Sequence, residues 1–142
     1  MIKLFVYGSL KKCFVNNKIL EECGAIYSSD AITKYKYPMY KSDSMMEYFP
    51  YLENTPGIGK NIYGEVWLFP HKKIEILDYF EGVPDLYEKG KIEVICENKA
   101  PNNKTTIKCL CYFSTKNNSS LYKNNNGKID NSIYQFIDKW IE

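Results

Sequence analysis

Residues 62 to 87 read IYGEVWLFPHKKIEILDYFEGVPDLY. The first eight alternate strictly, with Ile62, Gly64, Val66 and Leu68 on one side and Tyr63, Glu65, Trp67 and Phe69 on the other. That period of two predicts a half-buried strand. Pro70 has no N–H for a strand ladder and can open a helix, so the strand stops there. Lys72 to Phe80 then form a helix in which Ile74, Leu77, Asp78 and Glu81 recur at helical spacings. Gly82 follows at once, where a left-handed glycine can close the helix, so Glu81 belongs to the last turn or its cap. The last turn exposes carbonyl oxygens and carries the negative end of the helix dipole, which disfavours an acid by about 0.3 to 1 kcal/mol. Burial on the apolar side would add to this, and both effects raise the pKa toward the range useful for proton exchange near neutral pH. Glu81 is the candidate catalyst, and a solvated helix-end glutamate is the plain alternative.

Upstream of that stretch, Ile2 to Tyr7 form a short apolar run that breaks at Gly8-Ser9, which predicts a buried strand and a tight turn. A glycine there exposes successive N–H groups able to hold a carboxylate or another anion, so Val6-Tyr7-Gly8-Ser9-Leu10 is the second candidate site. Asn16 or Asn17 is expected to cap a helix that carries Ile19, Leu20 and Cys23 and stops at Gly24. Ala25 to Tyr40 suggests one or two strands interrupted at Pro38. Residues 43 to 60 have no clean period and read as a loop covering the site.

Downstream, Val83 to Leu86 is a turn, and Tyr87 to Cys96 pairs antiparallel with Thr105 to Phe113 across a polar loop at 98–104. Residues 115–128 are asparagine-rich and read as a surface loop. Asp130 is expected to cap a final amphipathic helix carrying Ile133, Phe136, Ile137, Trp140 and Ile141. This order lacks the regular alternation of a doubly wound sheet. It predicts one α+β domain over residues 1–142, a small mixed, partly closed β-barrel flanked by helices.

The chain has 142 residues, 44% hydrophobic and 25% charged, as expected for one globular core. A net charge of +2, with lysines spread along the sequence, gives no reason to expect a nucleic-acid partner. Five cysteines without a C-x-x-C pair, beside a single histidine, indicate neither a disulfide framework nor a zinc site. The N-terminal apolar run is too short for a signal peptide, and no segment has the ~18 apolar residues of a membrane span, so a cytoplasmic protein is expected.

Ser9 could act as a nucleophile only with a base, and the one histidine, His71, follows Pro70 near a helix start, where solvent is its usual surrounding. Asp78 lies one turn before Glu81 and could help position it, whereas Glu75 points elsewhere and Asp85 sits in a turn. Tyr37 and Tyr87 each combine an aromatic wall with a hydroxyl that can donate to an oxyanion, and simple packing is the alternative for both.

With these residues in place the sequence resembles the γ-glutamylcyclotransferase-like superfamily. The resemblance rests on VYGSL at 6–10, YP at 37–38, YGEVW at 63–67 and LDYFEGVPDLY at 77–87. Within the superfamily it is most similar to γ-glutamylamine cyclotransferases, through PYLENTPGIGKNIYGEV at 50–66 and the P-x-x-Y at 84–87. The resemblance implies that Tyr7, Gly8, Ser9 and Leu10 bind the carboxylate end of a γ-glutamyl group. It implies that Glu81 is the proton acceptor and donor, and that the fold is a mixed barrel with flanking helices.

The implied reaction is intramolecular: the α-amine attacks its own γ-carbonyl, closing 5-oxoproline and releasing the attached amine. The substrate brings its own nucleophile, so no cofactor or metal is expected, and the expected partner is a small γ-glutamyl compound without nucleic acid or membrane. A non-catalytic small-molecule-binding or interaction domain on the same fold is the alternative. Two departures bear on substrate detail. Lys11-Lys12-Cys13-Phe14-Val15-Asn16 replaces the usual basic residue, glycine and proline before an asparagine, and Lys89 stands where many relatives carry arginine.

Overall fold

The computed structural model describes residues 1–41, 50–97, 104–116 and 139. The expected loop at 115–128 beyond residue 116, the tip of the 98–104 loop and the terminal helix from Asp130 lie outside the described residues, as does the 42–49 part of the expected covering loop.

In chain order the elements are β1 (Ile2–Val6), α1 (Asn17–Glu22), β2 (Ile26–Tyr37), β3 (Met39–Lys41), β4 (Pro50–Leu52), β5 (Lys60–Phe69), α2 (Ile74–Glu81), β6 (Tyr87–Cys96) and β7 (Thr105–Ser114). Five strands form a closed barrel in the order β1-β5-β2-β6-β7, and β3 pairs with β4 as a separate ribbon. The barrel is closed, where the alternating segments predicted only partial closure. Its neighbours are antiparallel except β1 and β7, which meet parallel with Leu4 opposite Leu110.

The alternation of residues 62–69 is realised as two cores on either side of the barrel wall. Phe5, Ile62, Val66, Ile92, Val94 and Cys111 pack inside. Leu4, Val6, Leu20, Trp67, Phe69 and Leu77 pack between the wall and the two helices. Both faces of β1 are therefore buried, which is why Ile2 to Tyr7 reads as a continuous apolar run. Burying each large side chain contributes about 1.5 to 3 kcal/mol, so the outer core holds α2 firmly against the strands.

The helix of residues 72–81 starts with a 3-10 turn at His71–Lys73 and ends as expected. Gly82 is left-handed, with φ at 67°, while the Val83 N–H donates to the Asp78 carbonyl and the Gly82 N–H to the Tyr79 carbonyl. This pair of bonds closes a helix around a glycine, and it fixes Glu81 as the last helical residue.

Two expectations need correction. Neither Asn16 nor Asn17 caps α1 with its side chain. Instead Asn16 Nδ2 donates to Ser9 Oγ at 2.9 Å and Asn17 Nδ2 to the Leu10 carbonyl at 2.7 Å, so both amides are spent on the preceding turn. The segment read as a loop at 43–60 contains the strand β4, paired with β3 from Met39↔Leu52 to Lys41↔Pro50. Three residues that begin with proline are too short to show a period.

All five cysteines are free thiols, and four of them are buried. Among the described residues no helix is long and apolar enough to cross a membrane, and no cluster of three or more His, Cys, Asp or Glu is arranged to hold a metal.

Candidate active site

Where β1 ends, the chain turns sharply and is held from several directions. The Lys11 N–H donates to the Gly8 carbonyl and the Asn16 N–H to the Ser9 carbonyl, both at 3.1 Å. A Cβ on residue 8 would stand 2.8 Å from Pro50 Cγ, so glycine is needed there because β4 packs directly on the turn. Beyond it, Glu65 accepts the Lys12 N–H at 2.8 Å and the Trp67 indole N–H at 3.1 Å. That carboxylate fastens the atypical Lys11–Asn16 loop to the outer wall of the barrel.

The turn forms one side of a cavity of about 150 Å3, and the end of α2 forms the other, with Phe80 and Glu81 opposite Tyr7, Gly8, Ser9 and Leu10. Phe5, Val6, Pro50, Leu86, Tyr87 and Tyr112 complete the lining, and no cationic side chain is among the described residues that line it. The two stretches singled out in the sequence therefore share one hollow.

Glu81 keeps some exposed surface as a residue, but its carboxyl is withdrawn from water, and it is the carboxyl's surroundings that govern its ionisation. Burial pushes its pKa from the ordinary 4.5 up to about 8. Desolvation of the carboxyl is the cause.

The tyrosines divide. Tyr7 is buried, donates its hydroxyl hydrogen to the Tyr112 carbonyl at 2.5 Å, and has its pKa raised by burial first and by Tyr87 next. Tyr87 donates to the Pro50 carbonyl at 3.1 Å and lines the cavity. Tyr37 does not line it. Its ring lies 5.9 Å from Phe113 in the barrel interior, and it borders a second hollow with Tyr35, Asn54, Lys91 and Lys108. Tyr37 shares the apolar core with Tyr7 without being among the residues that line this cavity.

His71 is exposed and does not line the cavity. Asp78 accepts the Tyr112 hydroxyl at 2.6 Å and pairs with Lys89 Nζ at 2.8 Å, so its link to the site runs through Tyr112. Reading the sequence missed Tyr112 and Pro50 as cavity residues. The alternation of β7 does carry a signal for Tyr112: Cys109, Cys111 and Phe113 face inward, which turns Tyr112 outward under α2.

The chain is similar to several known proteins. The chain is 38% identical over 96 residues to gamma-glutamylaminecyclotransferase A of Danio rerio, a match covering 66% of this chain and 58% of that relative. It is 29% identical over 121 residues to gamma-glutamylaminecyclotransferase of Homo sapiens, covering 79% of this chain and 78% of the relative. The chain thus matches less than two-thirds of the length of the Danio rerio protein. A crystal structure of an AIG2-like protein from Mus musculus superposes with a TM-score of 0.80 over 99% of this chain and 88% of that one, at 21% identity, and shows the same fold. The family model for gamma-glutamyl cyclotransferase, AIG2-like, matches residues 4–133, and the chain belongs to that family.

Proposed function

We propose that this chain is a γ-glutamyl cyclotransferase that releases 5-oxoproline and a free amine from γ-glutamyl amines. Backbone N–H groups of residues 8–10 hold the substrate's α-carboxylate and bend the glutamyl chain until its α-nitrogen meets the γ-carbonyl carbon. Holding the reacting atoms in that geometry turns a rare encounter into a unimolecular step. Glu81 takes a proton from the α-ammonium, the neutral nitrogen attacks, the new N–C bond closes the five-membered ring, and the old C–N bond breaks. Glu81 then gives that proton to the departing nitrogen, and the second proton shed by the ring nitrogen passes to the released amine, which leaves as an ammonium. Tyr7 and Tyr87 form the walls that keep this exchange dry.

One observation carries the reading: an acid with its pKa pushed up to about 8 lies in the same small cavity as the Tyr7–Leu10 turn. A carboxylate in that range can both accept and return a proton near neutral pH, which an ordinary surface glutamate does poorly. The names carried by the relatives from Danio rerio and Homo sapiens support γ-glutamyl amines as the substrate class. The test is 5-oxoproline release from a panel of γ-glutamyl amines, γ-glutamyl amino acids and glutathione, comparing wild type with Glu81→Gln. The reading expects turnover of at least one amine by wild type and none by the variant. Equal rates in the two proteins would remove Glu81 from the mechanism.

A further inference from the structure

A chain of three side chains ends at Tyr112 in the cavity lining and joins three elements. Lys89 on β6 reaches Asp78 Oδ2 on α2 at 2.8 Å, and Asp78 Oδ1 accepts the hydroxyl hydrogen of Tyr112 on β7 at 2.6 Å. Tyr112 is 3% exposed, lines the cavity beside Glu81, and is further fixed by the Tyr7 hydroxyl bonded to its carbonyl. A hydroxyl has one hydrogen to give and two lone pairs to offer. Because Asp78 takes that hydrogen, the phenol oxygen can only accept from anything else that approaches it.

We propose that Asp78, anchored by Lys89, is a positioning residue that holds the Tyr112 hydroxyl as a hydrogen-bond acceptor for the substrate's α-amine. This rests on the cyclotransferase reading above and adds a second polar group to the site. The amine then has two neighbours with different duties: Glu81 exchanges its proton, and Tyr112 aims the nitrogen at the carbonyl. Burial first, then the bond to Asp78 and the charges of Asp78 and Glu81, raises the Tyr112 pKa well above the phenol range, so the hydroxyl stays neutral and keeps that orientation.

The arrangement makes an unusual prediction for Asp78→Asn. Lys89 will hold the amide oxygen on its own side, which leaves the amide N–H facing Tyr112. The phenol must then accept from Asn and turn its hydrogen toward the cavity, presenting a donor where the amine needs an acceptor. Tyr112→Phe removes the acceptor without adding a donor.

The experiment measures kcat and KM of wild type, Asp78→Asn, Tyr112→Phe and the double variant on whichever γ-glutamyl amine the wild type turns over. It adds competitive inhibition by the glutaric acid monoamide of the same amine, which lacks the α-nitrogen. Tyr112→Phe should lower kcat/KM roughly ten- to a hundredfold, the usual effect of losing a hydrogen bond to a charged group. Asp78→Asn should lower it at least as much, and the double variant should be no worse than Tyr112→Phe alone, because orientation has no meaning without the hydroxyl. Inhibition by the monoamide should be unchanged by Tyr112→Phe, which a general loosening of the site would not allow.

Additive losses, or a monoamide weakened in parallel with the substrate, would overturn the proposal while leaving Glu81 in its role. If Asp78→Asn does not fold, the monoamide comparison with Tyr112→Phe decides alone. A wild type that turns over no γ-glutamyl compound removes both readings together.

Discussion

Two of the hollows among the described residues differ in how they hold an acid. The larger measures about 530 Å3 and is bordered by Tyr35, Tyr37, Lys91, Glu93 and Lys108 among others. Its acid, Glu93, is partly exposed and has Lys34 at 4.0 Å. The smaller measures about 150 Å3 and contains one acid with no cation among its described lining. The chemistry of a cavity follows from what it withholds. Burial, with no cation among the described lining, leaves Glu81 with its pKa pushed up to about 8.

The contrast can be broken most severely at Glu81 itself. Glu81→Gln should reduce 5-oxoproline release by about a thousandfold or more, at the upper end for a lost general acid–base, while Lys91→Met in the larger hollow should leave it unchanged. The next effect is steric. Gly8→Ala would place a Cβ 2.8 Å from Pro50 Cγ, and displacing the turn should lower kcat/KM by roughly ten- to a hundredfold. Adding Pro50→Ala should recover part of that loss, and a double variant as impaired as Gly8→Ala would show that the contact with β4 is not the cause.

A pH series sharpens the comparison further. In the free enzyme kcat/KM should climb about tenfold per unit below an apparent pKa near 8 and level off above it, because the base must be ionised. Stability runs the other way. An acid with a raised pKa contributes fully below its unfolded value near 4.5, and that contribution is lost as pH rises toward and through 8. Wild type should lose on the order of a few kcal/mol relative to Glu81→Gln across this window, as read from denaturant midpoints. The smallest effect is expected at Tyr37→Phe, within about twofold in kcat/KM, since the ring faces Phe113 and the other hollow. A tenfold loss there would reconnect the two hollows.

These contrasts show what a sequence can carry. The strand at 62–69, the helix ending at Gly82 and the antiparallel pair β6 and β7 were legible because each repeats a short period or ends on a residue with a fixed backbone preference. The Tyr7–Leu10 turn and Glu81 were legible as separate candidates. Their meeting was legible only through family resemblance, since nothing local in either stretch states their distance. β4 escaped because three residues cannot show a period, and with it went Pro50, whose ring shapes the turn. Asn16 and Asn17 read as helix caps from their positions, yet their amides found the turn 7 residues back more accessible than the helix N–H groups. Tyr112 looked like one strand residue among many until α2 was laid across it.

The parallel seam between β1 and β7 has a consequence for how the molecule comes into being. Leu4 leaves the ribosome before its partner Leu110, which arrives more than a hundred positions later. At about 5 to 20 residues per second the opening strand waits roughly 5 to 20 seconds for the neighbour that completes its wall. The Tyr7 hydroxyl donates to the Tyr112 main-chain carbonyl between the same two stretches. On a nascent chain the pocket is therefore assembled late, and a ribosome stalled before β7 would display an apolar strand with no barrel to enter.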